Sequence, residues 1–277
     1  MSAPSWLRWA HGATGAAHLV QSGVVAALLA NSDTALKPVW PLTRSGFAGE
    51  QVSRTDYALG GLVPIFPAMS AFHHTVCAAL PGVLDGIVKD RVNPLRWAEY
   101  AVSAGVMLWI VATLAGITEQ RTLIGMLVLN VCLQYLGHHI EVRLAEGASA
   151  GEIWELMLIA WGVHMAIWIP IITSFYTVIN NTPGVPDAIQ AIVWSLFTLF
   201  SSFGLIQVLQ AAGVVQRYEM VDLSYVLLSL ISKSLLTWMA YGGVFAADVR
   251  TDVSPSPTAS PSPPAEGVAG RQPAARS

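Results

Sequence analysis

The chain has 277 residues, a formal net charge of −3 and a mean hydropathy of +0.55; hydrophobic residues make up 54% and charged residues 11%. Soluble domains run near a quarter charged, so the composition excludes an ordinary soluble domain and predicts an integral membrane protein surrounded by lipid. The near-neutral balance offers no basic surface and argues against nucleic acid as a partner.

Seven apolar windows are long enough to cross a hydrocarbon core: Trp9–Ala30, Tyr57–Leu84, Asn93–Thr118, Thr122–Ile140, Leu156–Ile179, Ile189–Val215 and Leu223–Ala247. They predict an all-α membrane protein, a seven-transmembrane-helix bundle forming one domain over residues 1–248. The first window follows Arg8 and contains small residues, as a secretory leader does, but His11, His18 and Gln21 interrupt it and mark it as a retained helix. A long connection, residues 31–56, carries Pro38, Trp40, Pro41 and Phe47. Loops of that length are usually structured or functional, and this one is expected to pack on something.

The second span ends near His73 and His74. Adjacent helix positions diverge by about 100°, so one of the two is expected to face the interior and the other to point away. Cys77 and Cys132 lie inside apolar spans and are expected to be buried thiols. The third span opens on Asn93-Pro94, an N-cap followed by proline at the first helical position. From Trp97 to Thr118 its only charge is Glu99, and Ser103 and Met107 follow at four-residue steps on the same face. The fourth span closes on His138 and His139, beside Glu141, and the fifth carries His164 early.

The seventh window contains one charged residue, Lys233, near its middle. A lysine at bilayer depth costs roughly 2.5–3.5 kcal/mol, so it needs a partner or a task. Glu99 is the economical partner, and Ser229 lies one helical turn before the lysine. A buried amine can also condense with an aldehyde and hold a cofactor as a Schiff base. A purely structural ion pair is the plainer alternative. Because helices alternate in direction, His18, Gln21, His73, His74, Glu99, His138, His139 and His164 all fall in one half of the bilayer. They predict a polar, hydrated cavity opening toward the N-terminal face. Lys and Arg divide almost evenly between the two faces, so charge does not set the orientation. After Asp248 the chain becomes Ser/Pro/Ala-rich, and residues 249–277 are expected to be disordered.

Seven spans, a lysine in the last and a carboxylate early in the third resemble the microbial retinal proteins, whose Arg-x-x-acid-aromatic run looks like Arg96-Trp97-Ala98-Glu99-Tyr100. More closely, Asn93-Pro94-x-Arg96-Trp97-x-Glu99-Tyr100, His18-Leu19-x-Gln21 and Ser229-x-x-x-Lys233-Ser234 resemble heliorhodopsins, over the whole helical region. The resemblance implies a rhodopsin-like bundle with all-trans-retinal on Lys233 as a protonated Schiff base and Glu99 as its counterion. It places Ser229, Ser103, Met107 and Tyr100 around that linkage, and makes His18, His73 and Gln21 a proton-accepting cavity. It also implies a cytoplasmic N-terminus, a homodimer in which the long first loop forms a hairpin against the neighbouring protomer, and a signalling partner that the sequence does not identify.

Two departures from the pump pattern refine this. Ser229 stands where pumps carry a second aspartate, and Ile110 stands where outward proton pumps carry an acidic donor. The expected function is therefore light sensing with internal proton movement, neither outward pumping nor enzymatic catalysis. Two rival readings stay open. One is a light-gated proton channel or transporter on the same fold. The other is a membrane-embedded zinc-dependent lipid hydrolase using the histidines as ligands. Against the hydrolase, no two histidines stand four residues apart, and Lys233 would be left unexplained.

Overall fold

The structure is a computed structural model and describes residues 2–31, 40–44, 53–181 and 187–242. Among these, seven segments are long and apolar enough to cross a membrane. In hydrocarbon the backbone finds no water partner, so each crossing segment satisfies itself as a helix. The spans are α1 (Ser5–Ala30), α2 (Ile65–Ala79, preceded by a short helical turn at Leu59–Leu62), α4 (Pro94–Leu114), α5 (Gln120–Ala145), α6 (Ala150–Asn181), α7 (Asp187–Ala211) and α8 (Tyr218–Ala240).

One helix was not expected. The apolar window running to Leu84 predicts one continuous helix, but α2 stops at Ala79 and a separate helix, α3 (Pro81–Asp90), follows. Leu80 is extended, with φ −108° and ψ 91°, because the ring of Pro81 crowds the helical conformation of its predecessor. Leu84, Ile87 and Val88 of α3 pack with Leu7, Cys77 and Tyr218. Asp85 Oδ1 accepts from the Ala3 backbone N–H at 2.8 Å and from Arg8 at 3.4 Å. The start of the chain is thus tied to α3.

Other boundaries also move. α5 runs on to Ala145, so His138 and His139 lie within its last turns, half-exposed, rather than at its end. Of the expected buried thiols, Cys77 is buried but Cys132 is exposed on the outer face of α5. Within the first connection, strands β1 (Trp40–Arg44) and β2 (Ser53–Tyr57) pair antiparallel, with Trp40 opposite Tyr57 and Arg44 opposite Ser53. The Tyr57 hydroxyl joins this hairpin to α4, lying 3.0 Å from Thr113 Oγ1 and accepting from Trp109 Nε1 at 2.9 Å. Burial pushes its phenol up, against those two hydrogen bonds. The rest of the expected loop and the tail at 249–277 lie outside the described residues.

The interior divides into two halves. The half away from the N-terminal face is apolar, built from Leu29, Phe66, Leu108, Val111, Ile171, Phe175 and Leu236 among others. The half toward the N-terminal face holds the polar side chains. Large apolar residues such as Trp9, Phe72 and Leu158 are turned outward, where the bilayer covers them. α1 and α2 meet closely at Gly15: a Cβ there would lie 3.2 Å from Thr75 Oγ1 and 3.3 Å from His74 Cβ. Small residues at such crossings let backbones meet, and here the close approach brings His11 and His18 of α1 onto α2.

Candidate functional site

Lys233 lies in the second half of the buried face of α8, which runs Tyr218, Asp222, Tyr225, Ser229, Lys233, Leu236 and Ala240 at helical spacing. Side chains on a helix lean toward its N-terminus. The Lys233 amine accordingly reaches back one turn and donates to Ser229 Oγ at 3.0 Å. There it lies 3.3 Å from Glu99 Oε1 on α4, with Lys233 only 2% and Glu99 8% exposed. At that depth neither charge can rely on water, so each requires the other. The amine also sits over the Tyr100 ring, 4.8 Å from its centroid.

The other expected members of the site make varied contacts. Ser103 is fully buried one turn after Glu99, but its hydroxyl has no hydrogen-bond partner among the described residues. The hydroxyl that does hold Glu99 is Ser70 on α2, donating to Oε1 at 2.6 Å; no charge or motif had singled it out. Gln21 is half-buried and spends its amide on Ser234 Oγ at 2.7 Å, bracing α1 against α8. Met107 lines the apolar cavity beside the lysine.

Histidines gather on the other side of Glu99. His18 and His73 are buried, and none of their four ring nitrogens has a partner among the described residues. His74 is buried too, its ring centroid 4.8 Å from that of His73 and 5.8 Å from that of His18. The expectation that one of the adjacent pair points away is therefore wrong. α2 is packed between α1 on one side and α4 on the other, and α8 also touches it, so faces about 100° apart are both interior.

The polar half does not open freely to the N-terminal face. Between the histidines and that face lies a buried charge cluster that sequence reasoning missed. Arg96, 1% exposed, donates to Asp222 Oδ1 at 2.7 Å and to Glu141 Oε1. Its guanidinium stacks 3.9 Å from the Tyr225 centroid. Glu141 further accepts from the Asn93 N–H at 3.0 Å, Trp97 Nε1 at 2.7 Å and Tyr218 Oη at 2.9 Å. Asn93 caps α4 as expected, accepting from the Arg96 N–H at 3.0 Å, and donates to Asp222 Oδ1 at 3.0 Å. The cluster ties α4, α5 and α8 together and closes this end of the bundle.

On the far side of the lysine runs an apolar cavity bounded by α4, α5, α6, α7 and α8. Trp97, Tyr100, Met107, Trp161, Phe200 and Phe203 are among its walls, and Lys233 and Ser232 stand at its edge. His164 also lines it, its Nε2 3.0 Å from Ser201 Oγ, so this core histidine belongs to the cavity. Gly137 admits the Trp97 ring: a Cβ there would meet Trp97 Cζ3 at 2.4 Å. An amine opening into an aromatic-lined cavity, with a carboxylate behind it, suits a covalently held apolar aldehyde. Among the described residues no group of three or more His, Cys, Asp and Glu side chains is placed to hold a metal ion.

Comparison with known proteins matches residues 7–245 to the family model described as Heliorhodopsin. Among solved structures, the chain is similar to the transmembrane domain of Salpingoeca rosetta rhodopsin phosphodiesterase, with 12% identity and a TM-score of 0.66 over 87% of this chain and 85% of that one. It is similar also to the light-driven proton pump LR (Mac) from Leptosphaeria maculans, with 11% identity and a TM-score of 0.66 over 90% and 97% of the two chains. For the thermophilic rhodopsin from Rubrobacter xylanophilus the values are 13% and 0.55, over 85% and 100%. At these identities the likeness is one of fold. No curated protein sequence matches the chain.

Proposed function

The chain belongs to the heliorhodopsin family, and on that premise we propose that it is a light sensor whose output is a change of helix packing driven by internal proton movement. The family and the rhodopsin fold imply a retinal chromophore. The observation that carries the reading is the Lys233 amine, buried at the edge of an aromatic cavity and 3.3 Å from Glu99. Retinal in its all-trans form, bound at Lys233, would supply light-driven isomerisation and so displace the Lys233 nitrogen.

The chain's own residues do the rest. Glu99, held by Ser70, keeps a proton on the Lys233 nitrogen in the dark, because a buried negative charge favours the positive form of its neighbour. Ser229 accepts from that nitrogen and orients it. Tyr100, Met107 and the surrounding aromatics exclude water from the cavity side. When the nitrogen moves away from Glu99, its proton has open acceptors nearby in the rings of His18 and His73, whose ring nitrogens have no partner among the described residues. Relaxation of α1, α2 and α8 around the moved charge is the signal.

Ile110 and Ser229 leave no carboxylate positioned to reload the nitrogen from the far side or to carry its proton out. We therefore read the protein as a non-pumping, non-enzymatic sensor. We further propose a homodimer with the first-loop hairpin at the interface, a cytoplasmic N-terminus and a downstream protein partner. The test is direct. Cells expressing the full chain and given all-trans-retinal should become coloured, and cells expressing Lys233→Ala should not. Colour that survives the substitution would overturn the assignment of Lys233.

A further inference from the structure

With both imidazoles neutral, hydrogen-bond roles fix where protons sit on Asp222, His11 and His74. Asp222 accepts from Arg96 and Asn93 at Oδ1, and its Oδ2 lies 2.9 Å from His11 Nε2. An ionised carboxylate only accepts, so His11 Nε2 carries a hydrogen, and in a neutral ring Nδ1 is then bare. His11 Nδ1 lies 3.0 Å from His74 Nδ1, so His74 donates there and its own Nε2 is bare. That nitrogen is buried without a partner among the described residues, beside the equally unpartnered rings of His18 and His73. The three residues form a relay with an open acceptor at the cavity end and a carboxylate at the other.

The charges around the far end favour a proton there. One guanidinium, Arg96, faces two carboxylates, Asp222 and Glu141, and all three are 1% exposed. The cluster is one positive charge short in a place where water cannot supply it. His11, itself fully buried, touches that cluster directly. His18 and His73 lie on the Glu99 side, where Lys233 matches the carboxylate only while its nitrogen keeps the proton and takes that proton back when the dark state returns.

We propose that His11 is the resting site of the light-released proton. A proton arriving at His74 Nε2 sends the one on His74 Nδ1 to His11 Nδ1. His74 ends neutral with its hydrogen on Nε2, and His11 ends as an imidazolium that donates to His74 Nδ1 and Asp222 Oδ2. The reverse shift returns the proton, so one proton enters and leaves by the same nitrogen. Asp222 lies eleven residues before Lys233 on α8, roughly 16 Å along the axis at 1.5 Å per residue. That separation makes the stored charge slow to recombine. The proposal rests on the light-sensing reading above.

The experiment uses the full chain reconstituted with all-trans-retinal and labelled with ring-15N histidine. Flash-induced absorption follows loss of the proton from the Lys233 nitrogen, and time-resolved infrared difference spectra follow imidazolium formation. His11→Gln keeps a donor for Asp222 and an acceptor for His74 but does not take up a proton, and a retained visible band shows that it folds. The expected result is an imidazolium signal that rises with the deprotonated state and is absent in His11→Gln. Accumulation of the deprotonated state should fall roughly tenfold for each unit of proton affinity removed. His11→Phe, which removes both hydrogen bonds, should behave the same way. A signal of unchanged amplitude in His11→Gln, or an imidazolium already present in the dark and unaltered by light, overturns the role of His11 alone. A pigment that binds retinal but never deprotonates at Lys233 overturns the light-sensing mechanism with it.

Discussion

The Lys233 amine lies 3.3 Å from Glu99 Oε1, and a contact near the helix starts sets the depth at which they meet. Asn93, the cap of α4, donates to Asp222 in the first turns of α8. That contact levels the start of α4 with the start of α8. Counting along both helices then puts Glu99 beside the turn of α8 toward which the lysine leans back. The ion pair is a consequence of this alignment as much as of charge.

Replacing Lys233 tests the attachment. Lys233→Arg keeps the positive charge beside Glu99 and should give a folded protein with no visible band after retinal addition. Lys233→Ala should be colourless too, and less stable by about 3–5 kcal/mol, because Glu99 is left as an unpaired buried charge. Absorption spectra and thermal unfolding of the two variants separate the loss of colour from the loss of stability.

Glu99 and Ser70 should move the colour in opposite directions. Glu99→Gln removes the negative charge, letting positive charge spread from the nitrogen, so the visible band should shift to the red. The variant should also lose its visible band at a lower pH, with each tenfold change in proton affinity corresponding to about 1.4 kcal/mol. Ser70→Ala removes a donor from the carboxylate, a loss of about 1.5–3 kcal/mol for a hydrogen bond to a charged group. It concentrates the negative charge on the lysine side and should shift the band to the blue. A spectrophotometric pH titration of both variants checks the pair.

Transport is tested in cell suspensions. With Ile110 and Ser229 in the positions where pumps carry carboxylates, steady illumination should give no sustained acidification of the medium. A continuous light-driven acidification collapsed by a protonophore would support transport instead.

The Arg96 cluster should matter for stability more than for colour. Glu141→Gln leaves Arg96 with one carboxylate and weakens the acceptor used by Trp97, Asn93 and Tyr218. Arg96 and Asp222 remain a matched pair, so the expected cost is that of the disturbed hydrogen bonds, about 1–3 kcal/mol, read as a lower denaturation temperature, with a smaller change in the visible band than Glu99→Gln produces. An unchanged melting temperature would contradict the role assigned to Glu141.

Gly137→Ala probes the cavity wall. The new methyl would lie 2.4 Å from Trp97 Cζ3, and the ring cannot swing freely because its Nε1 donates to Glu141. Overpacking of this kind costs typically about 1–3 kcal/mol. The variant should show a displaced visible band and slower retinal uptake, measured by following colour formation after retinal is added.

Sequence alone determined the seven spans, the lone charges of Glu99 and Lys233 within them and the Asn93 cap, because each is a local contrast. A single charge inside a long apolar run is costly wherever the run ends up, and so it is visible without knowing the fold. Glu141 and Asp222 escaped notice because they lie near the ends of apolar runs, where a charge ordinarily reaches water at no cost. Asp222 stands one residue before the window containing Lys233. Only the tertiary structure decided that α8 begins inside the bundle and that α5 continues past His139, which carries both carboxylates into the interior. Ser70 and the joint burial of His73 and His74 were hidden for a related reason: they depend on which neighbours surround α2, and no periodicity within α2 encodes them. The break at Pro81 was written in the sequence but masked by apolar residues on both sides. The relay from His74 through His11 to Asp222 joins residues 63 and 211 positions apart. It exists because Gly15 lets α1 and α2 close, a packing event that no local reading of the chain contains.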